Sequence, residues 1–459
     1  MNKEHLLELD RKHLFHPVLP PRLHEQRGAI LLESGQGAYV KDVDGHELLD
    51  GFSGLWCVNA GYGHQSILDA AQRQLEKLPY ATGYFHFASE PTIELAAKLA
   101  ERAPGDLNRV YFTQGGSDAV DSAIRLIRFY FNALGKPSKK HFIALERGYH
   151  GSSSTGAGLT ALPVFHRHFD LPERWQHHIA SPYPYRNGAD QSDEQIIQAS
   201  VQALRDKVSE LGGSDQVAAF FCEPVQGSGG VIVPPKGYLK AMRDECRNLG
   251  ILFVADEVIT GFGRTGPLFA CDTEQVVPDM MTTAKGLTSG YSPMGALFVS
   301  EPIYQIIANG AGELPVGHGF TYSGHPVSAA IGLAVLELYE QGGLLANGIK
   351  VGAYFEQRLK DLSDHPLVGD VRTAGMLAGV ELVVDKAQRK KPSADLKVAS
   401  RMFEAGYRNG LIYRAFADDI IGFAPPLCCT EHDIDLLIER FETSLNQMLD
   451  VKEIRDEIN

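Results

Sequence analysis

ILFVADEV, residues 251–258, is the stretch of sequence from which the fold can be predicted. A short and continuous apolar run of this kind is typical of a strand that is buried on both faces, as in a parallel sheet. The run ends on Asp256 and Glu257, and open α/β sheets bind their ligands beyond the carboxyl ends of their strands. We therefore predict an α/β fold with a ligand site beside Asp256.

A second apolar stretch, DMMTTA at residues 279–284, leads directly to Lys285. An aspartate and a lysine then follow two neighbouring strands of the predicted sheet. A pyridine-ring cofactor needs such a pair, because a carboxylate must face the ring nitrogen and an amine must form a Schiff base. Asp256 and Lys285 are therefore the candidate catalytic residues.

Three other interpretations apply to this stretch when it is taken alone. GFGRTG at residues 261–266 matches the dinucleotide-binding pattern G-x-G-x-x-G, but Pro267 follows it where that site would need a helix. Acids at a strand end also occur in nucleoside triphosphatases, where they bind Mg²⁺, yet the chain has no G-x-x-x-x-G-K-[ST] phosphate loop. The stretch could also be an ordinary buried strand with capping acids and a solvated lysine.

The composition describes a globular protein large enough for two or three domains. Of its 459 residues, 44% are hydrophobic and 22% are charged. A formal net charge of −14 without a lysine-rich block argues against nucleic-acid and anionic-membrane partners. No apolar run approaches the roughly 18 residues of a membrane span, and residues 1–14 lack the apolar core of a signal peptide. Six cysteines without C-x-x-C spacing are expected to be reduced thiols of a cytoplasmic protein.

Alternating strand and helix patterns between residues 108 and 300 predict a mostly parallel sheet with helices on both faces. The first 30 residues are expected to form an extended arm, and residues 161–195 a loop. A smaller α+β domain is expected to combine the two ends of the chain. The expected boundaries are 1–60 for the N-terminal arm and hairpin, 61–325 for the large ligand-binding domain and 326–459 for the C-terminal part of the small domain.

Two further stretches bear on a ligand site. Gly115-Gly116-Ser117 precedes a long helix pattern, and the N–H groups at such a helix start can bind phosphate. Simple N-capping by Ser117 explains the same pattern. Histidines at positions 166, 168, 177 and 178 have no acid or cysteine at ligand spacing, so no metal site is predicted there.

The chain resembles the class III, or omega, aminotransferases, which use pyridoxal 5′-phosphate on the fold-type-I scaffold. The resemblance covers roughly residues 35–430, and the order of its motifs is specific even though each one alone is weak. The motifs are SGLW at 53–56, Gly116-Ser117, GYHG at 148–151, Glu223-Pro224, DEV at 256–258, GRTG at 263–266, Lys285-Gly286 and FTYSGHP at 320–326. The amine–pyruvate and β-alanine–pyruvate aminotransferases are the most similar branches.

The resemblance implies a role for each site residue. Lys285 would form the Schiff base with pyridoxal 5′-phosphate and move the substrate proton, and Asp256 would pair with the ring nitrogen. The other implied cofactor-binding residues are Gly116 and Ser117 at the phosphate, Tyr149 and Val258 on the two ring faces, His150, Glu223 near the ring hydroxyl, and Thr321. Thr321 would reach the phosphate of a neighbouring subunit, so the resemblance implies a homodimer or a tetramer. The implied substrate-pocket residues are Trp56, Tyr84, Phe85, Tyr149 and Arg414.

The activity implied by the resemblance is transfer of an amino group from a primary amine, a diamine or an ω-amino acid to pyruvate or another small 2-oxo acid. A pyridoxal-phosphate-dependent lyase or mutase on the same scaffold is the alternative. Gly115 departs from the family pattern, which has a serine there, and so removes one hydroxyl contact to the phosphate. Val18 likewise replaces an aromatic residue that often follows His-Pro.

Overall fold

A computed structural model describes residues 2–458 of the chain. The strands are β1 (Leu32–Gln36), β2 (Tyr39–Asp42), β3 (Glu47–Asp50), β4 (Arg109–Thr113), β5 (His141–Leu145), β6 (Gln176–Ile179), β7 (Val217–Cys222), β8 (Leu252–Asp256), β9 (Met280–Thr283), β10 (Gly295–Val299), β11 (Val368–Ala374), β12 (Leu377–Leu382), β13 (Leu411–Ile412), β14 (Arg414–Phe416) and β15 (Ile420–Phe423). The α-helices are α1 (Lys3–His13), α2 (Pro21–Arg27), α3 (Ser53–Trp56), α4 (Gln65–Lys77), α5 (Glu90–Ala100), α6 (Gly116–Ala133), α7 (Asp193–Glu210), α8 (Tyr238–Leu249), α9 (Glu301–Ala311), α10 (Pro326–Glu340), α11 (Leu344–Lys360), α12 (Val398–Arg408), α13 (Glu431–Leu449) and α14 (Lys452–Arg455). Turns of 3₁₀ helix lie at Pro163–Phe165, Ala270–Glu274, Lys285–Leu287, Asp361–Asp364 and Ala394–Leu396.

The central sheet has seven strands in the order β4-β10-β9-β8-β7-β5-β6. Strands β9, β8, β7, β5 and β6 pair in parallel, whereas β10 runs antiparallel to both of its neighbours. The predicted fold class, an α/β protein with a mostly parallel sheet, is therefore confirmed. Strand β8 occupies the middle of the sheet.

The apolar run that predicts β8 is buried on both faces of the sheet. Phe253 and Ala255 belong to the hydrophobic core that includes Met242 of α8. Val254 points the other way, into the core that includes Ile124 of α6. Because successive side chains of a strand face opposite sides, a sheet covered by helices on both faces requires apolar residues at every position.

Two four-stranded sheets are formed by the rest of the chain. The first has the order β1-β2-β3-β13, and β13 pairs in parallel with β3. The second has the order β11-β12-β15-β14 and is antiparallel. A C-terminal strand thus completes a sheet that the N-terminal hairpin begins, which confirms that the smaller α+β unit uses both ends of the chain.

The N-terminal segment is helical, so the expectation of an extended arm is wrong. The side chain of Asn2 accepts a hydrogen bond from His5 N and caps α1. Pro21 is the first residue of α2, a position where proline costs no hydrogen bond. The Pro20-Pro21 pair therefore starts a helix and does not extend the arm.

Three further elements differ from the sequence-based expectation. Residues 161–195, expected to be a loop, contain the edge strand β6, which pairs with β5. Its sequence QHHI is polar and lacks the apolar pattern from which a strand is predicted. The sequence pattern of residues 372–382 predicts one strand, and the structure has the hairpin β11–β12 there, which turns at Gly375 with φ +60°. Helix α11 was not predicted.

All six cysteines are free thiols, as predicted. In residues 2–458, no single helix is both long and apolar enough to span a membrane. Helix α10 and residues 344–364 form a bent pair that is long and apolar enough only when the two are counted together, and only by length and composition.

Candidate active site

The candidate site lies at the carboxyl ends of β8 and β9. Asp256 is the last residue of β8, and Glu257 N donates a hydrogen bond to Thr282 O of β9 at 2.9 Å. Lys285 begins a 3₁₀ turn two residues after β9 and has a φ of +40°, a value that side chains with a Cβ rarely adopt. Such local strain is typical of functional residues that the surrounding structure holds in place.

Asp256 is buried and its carboxylate is held at both oxygens. His150 Nδ1 lies 2.8 Å from Asp256 Oδ2, and Val258 N donates to Oδ1 at 3.2 Å. Burial alone would lower the pKa of His150, but the hydrogen bond and the negative charge of Asp256 raise it overall. His150 therefore fixes the orientation of the Asp256 carboxylate.

Lys285 is partly buried, and its Nζ forms no hydrogen bond or ion pair with any residue between 2 and 458. Burial lowers its pKa to about 8, although the electrostatic effects of Cys57, Asp256 and Glu223 act to raise it. The structure thus brings Lys285 within electrostatic reach of Asp256 and Glu223. A much larger fraction of Lys285 is neutral near pH 7.5 than for an ordinary lysine, so the amine can act as a nucleophile and as a base.

Glu223 anchors the loop that carries Tyr149. Glu223 Oε1 accepts from Tyr149 N at 2.8 Å and Oε2 accepts from Gly227 N at 3.0 Å. Burial raises the pKa of Glu223 to about 7. The ring of Tyr149 also packs edge-on against Phe165, with centroids 5.3 Å apart. Both backbone contacts of Glu223 hold loops in place at the strand ends.

Helix α6 starts beside the same strand ends. Gly115 precedes it with no side chain capping the helix, so the interpretation of Ser117 as an N-cap is wrong. Ser117 Oγ instead accepts from Ser152 N at 3.2 Å. A Cβ atom on Gly116 would lie 2.9 Å from Val258 Cγ1, whereas one on Gly115 would meet no atom within 4 Å. The first-turn N–H groups therefore border open space next to Val258 and can bind an anion.

Trp56 and Arg414 both lie against the ring of Phe416. Trp56 is buried, and its ring packs against Phe52 and Phe416 with centroids 4.6 Å and 6.4 Å away. The Arg414 guanidinium lies 5.5 Å from the Phe416 ring centroid, and its side chain is exposed. Arg414 forms no ion pair with the described residues, since Asp418 binds Arg147 and Lys391 instead. Arg414 lies in β14, paired with Gly422, and the turn follows it.

Tyr84, Phe85 and Thr321 form an exposed surface. Tyr80 OH donates to Thr321 O at 2.9 Å, and the ring of Tyr84 packs against Phe85 with centroids 5.5 Å apart. Phe85 is 83% exposed. Within this one chain these three residues therefore face solvent, whereas Trp56 packs into a core.

An ion pair that the sequence did not predict joins the segment before Tyr149 to the turn after β14. Arg147, one residue before Gly148, donates to Gly229 O at 2.8 Å and forms an ion pair with Asp418 in the turn after β14. The link joins residues 271 positions apart in the chain. Local sequence patterns carry no signal for a pair at that separation.

Comparison with known proteins places this geometry in a family. A model of the family "Aminotransferase class-III" matches residues 23–445. The chain is 40% identical over 452 residues to the diaminobutyrate–2-oxoglutarate transaminase of Halomonas elongata, covering 97% of this chain and 96% of that one. It is 40% identical over 440 residues to the putrescine–pyruvate aminotransferase of Pseudomonas aeruginosa, covering 96% and 95%. The crystal structure of the omega transaminase from Pseudomonas jessenii in complex with PMP has a TM-score of 0.95, 38% identity and coverage of 97% and 98%.

Proposed function

Because the chain belongs to the class-III aminotransferases, which are pyridoxal-phosphate-dependent transaminases, we propose that it uses a primary amine, a diamine or an ω-amino acid as donor. The proposed acceptor is pyruvate or another small 2-oxo acid. Two half-reactions share one site, so the same residues must bind a donor without a carboxylate at its reacting carbon and an acceptor that has one.

The residues at the strand ends fit pyridoxal 5′-phosphate. Lys285 Nζ has no partner among residues 2–458 and has a pKa of about 8, and Asp256 presents a carboxylate that His150 holds in place. The open start of α6 offers N–H groups for the phosphate. When bound there, the cofactor supplies an aldehyde that links covalently to amines and a ring that takes up electrons as a proton leaves the substrate carbon.

Lys285 would serve both as the cofactor's covalent anchor and as the proton carrier. A group with a pKa of about 8 can both accept and release a proton at Nζ near neutral pH. Asp256 would keep the ring nitrogen protonated, because a nearby carboxylate favours the positively charged form. Gly116 and Ser117 would bind the phosphate, and Tyr149 and Val258 would contact the two ring faces.

The observation that carries the proposed substrate class is Arg414 beside the aromatic pair Trp56 and Phe416. The aromatic rings offer an apolar wall to the donor, and the Arg414 guanidinium, which pairs with no carboxylate in the described part of the chain, is available to the acceptor. A fixed, buried arginine would be left unpaired when an apolar donor binds, and an exposed one avoids that cost. Arg414 would thus act as a mobile clamp for the acceptor carboxylate.

Pyruvate is the proposed acceptor because it has one carboxylate. The guanidinium of Arg147 is already bound to Gly229 O and Asp418, so it is not free for a second carboxylate. The relatives support a donor with a terminal amino group, since one is named for diaminobutyrate and one for putrescine. Their acceptors differ, since one is named for 2-oxoglutarate and one for pyruvate. The proposed acceptor therefore rests on the residues of the site.

A panel of donors against two acceptors tests the proposal. Putrescine, β-alanine and an arylalkylamine would each be combined with pyruvate or 2-oxoglutarate, with the keto or aldehyde product measured. We expect the fastest turnover for a diamine or arylalkylamine with pyruvate. Turnover confined to α-amino acids with 2-oxoglutarate would contradict the proposed specificity. Many equivalents of product per active site formed without any 2-oxo acid would indicate the lyase or mutase alternative, because a transaminase stops after one; the named relatives do not favour that alternative.

The proposed working form is a homodimer in the cytoplasm, without nucleic-acid or membrane partners. Thr321 is exposed in the single chain, as expected of a residue that reaches a neighbouring subunit's phosphate. Tyr84 and Phe85 are exposed on the same surface and would complete a substrate pocket there. The proposed domain boundaries remain residues 60 and 325.

A further inference from the structure

A second group of ligand-type side chains lies on the two N-terminal helices, which carry none of the active-site residues. Asp10 belongs to α1 and His24 to α2, and His16 lies in the connection between them. His16 Nε2 lies 2.6 Å from Asp10 Oδ1, and His24 Nε2 lies 3.0 Å from Asp10 Oδ2. The three candidate ligand atoms all lie within 4.8 Å of one another.

His24 is 7% exposed, yet neither of its ring nitrogens has a hydrogen-bond partner among the described residues. Asp10 Oδ2 also lacks one, because its contact with His24 has the distance but not the direction of a hydrogen bond. Buried polar side chains are nearly always satisfied, so His24 Nε2 and Asp10 Oδ2, which lie side by side without hydrogen bonds to the described residues, call for a ligand. A cavity of about 90 Å³, lined in part by Phe15, His16 and His24, adjoins them.

We propose that Asp10, His16 and His24 form a binding site for a divalent transition-metal ion, with Zn²⁺ as the best match. Zinc takes imidazole nitrogen and carboxylate oxygen in a four-coordinate arrangement, and three protein ligands leave one position for water. The adjoining cavity has room for that water. Calcium and magnesium prefer an all-oxygen set, which two histidines do not provide.

The site needs only a small adjustment to hold the ion. Ligand atoms around a tetrahedral zinc with bonds of about 2.0–2.1 Å are about 3.3 Å apart. The two histidines now contact different oxygens of Asp10, at 2.6 Å and 3.0 Å, so the Asp10 carboxylate would turn to present one oxygen to the ion. His16 lies in a connection between helices, where the backbone can move by a few tenths of an ångström. The ion would replace the contacts that Asp10 now makes with both histidines.

Bound metal would join α1 to α2. Two ion pairs hold this helical pair to the rest of the chain, between Lys3 and Asp44 and between Arg27 and Glu404, and all four side chains are well exposed. Exposed ion pairs contribute little to stability. An ion that binds only the folded arrangement would stabilise the pair by mass action.

Metal binding to the untagged holoenzyme tests the proposal. After dialysis against a chelator and then metal-free buffer, zinc chloride would be titrated by calorimetry and bound zinc measured by elemental analysis. We expect one Zn²⁺ per chain at concentrations on the order of 10 µM. Asp10→Asn and His24→Gln should each weaken binding by more than about 100-fold, since even the loss of a residue that only hydrogen-bonds to a metal ligand costs about 10–100-fold.

His13→Gln is the matched control, because His13 is an exposed histidine of α1 outside the group. It should bind zinc as the wild type does. As a second readout, zinc should slow proteolytic cleavage between residues 14 and 20 in the wild type and in His13→Gln but not in Asp10→Asn. Absence of stoichiometric binding would mean that the three residues form an ion-pair group only. Binding that survives both ligand variants would place the metal elsewhere, and either result overturns the proposal.

Discussion

Two lysines of this protein share an unusual pKa but differ in what their amines can do. Burial lowers the pKa of both Lys139 and Lys285 to about 8. Lys139 Nζ donates to three backbone carbonyls, those of Ser214, Val217 and Gly250, at 2.7, 3.0 and 2.9 Å. Lys285 Nζ has no such partners among the described residues, so its amine is free to react. The surroundings of each amine, and not its pKa alone, separate a structural lysine from a catalytic one.

The pKa of Lys285 predicts how the cofactor-free enzyme takes up pyridoxal phosphate. Only the neutral amine attacks an aldehyde, so the capture rate should rise with pH up to about 8 and then level off. An ordinary lysine would keep gaining reactivity until about pH 10.4. Stopped-flow absorbance across pH 6.5–10 would measure the rate. A rate that still rises above pH 9 would contradict the assigned pKa.

The lowered pKa of Lys285 also makes the stability of the folded protein depend on pH. A lysine whose folded-state pKa lies below its unfolded value binds fewer protons when folded, so its burial destabilises the cofactor-free protein most below pH 8. That penalty falls as pH rises from about 8 towards 10.5.

Asp256→Asn removes the charge that should favour a protonated ring nitrogen while preserving side-chain size. The cofactor should still bind through its phosphate, but the rate of proton removal from the donor should fall by at least about 10²-fold. Single-turnover absorbance measures that step. Near wild-type rates would mean that another acid faces the ring. Glu223 and Glu257 would then be the candidates, since both are buried acids that follow strands of the central sheet.

At the level of elements, strand ends explain why part of the site was predictable from sequence. Asp256 and Lys285 each follow a short apolar run, and parallel strands deliver such residues to one edge of the sheet. The bond between Asp418 and Arg147 depends on how two sheets come together, and no local pattern encodes it. Helix α2 was missed for another reason, since proline pairs both break helices and begin them.

The position of Arg414 on β14 predicts a selective defect. Arg414→Ala should weaken the pyruvate half-reaction by roughly 2–4 kcal/mol of transition-state binding, the range for losing a charge-assisted contact. The half-reaction with a donor that lacks a carboxylate should change little. Single-turnover kinetics measures the two halves separately. Equal losses in both would mean that Arg414 supports the structure of β14 rather than the acceptor.

For the whole molecule, a mostly parallel sheet covered by helices was predictable from the alternation of strand and helix patterns, whereas the order of its strands was not. The role of the exposed surface around Thr321 was predictable only from the family resemblance. Periodicity cannot say which surfaces of a chain meet a second copy. The proposed domain boundaries also stay predictions.

Thr321 links cofactor binding to assembly, if it reaches the phosphate of a neighbouring subunit. Removing the cofactor should then weaken the dimer, and Thr321→Ala should raise the cofactor dissociation constant, because the two equilibria are coupled by mass action. Analytical ultracentrifugation of the holoenzyme and the cofactor-free enzyme measures the first effect. Ser323→Ala, a change in the same exposed segment, is the control. Equal dimer stability with and without cofactor would argue against this link.

The central claim, that Lys285 anchors the cofactor and carries the proton, is tested most directly by following cofactor absorbance in wild type and Lys285→Ala through one turnover. In the wild type, an amine donor should abolish the absorbance of the covalently held cofactor, and pyruvate should restore it with one equivalent of alanine. Lys285→Ala should fold normally, lack that absorbance and lose at least about 10³-fold in rate. A clean Lys285→Ala preparation that retains the absorbance and turns over would contradict the account.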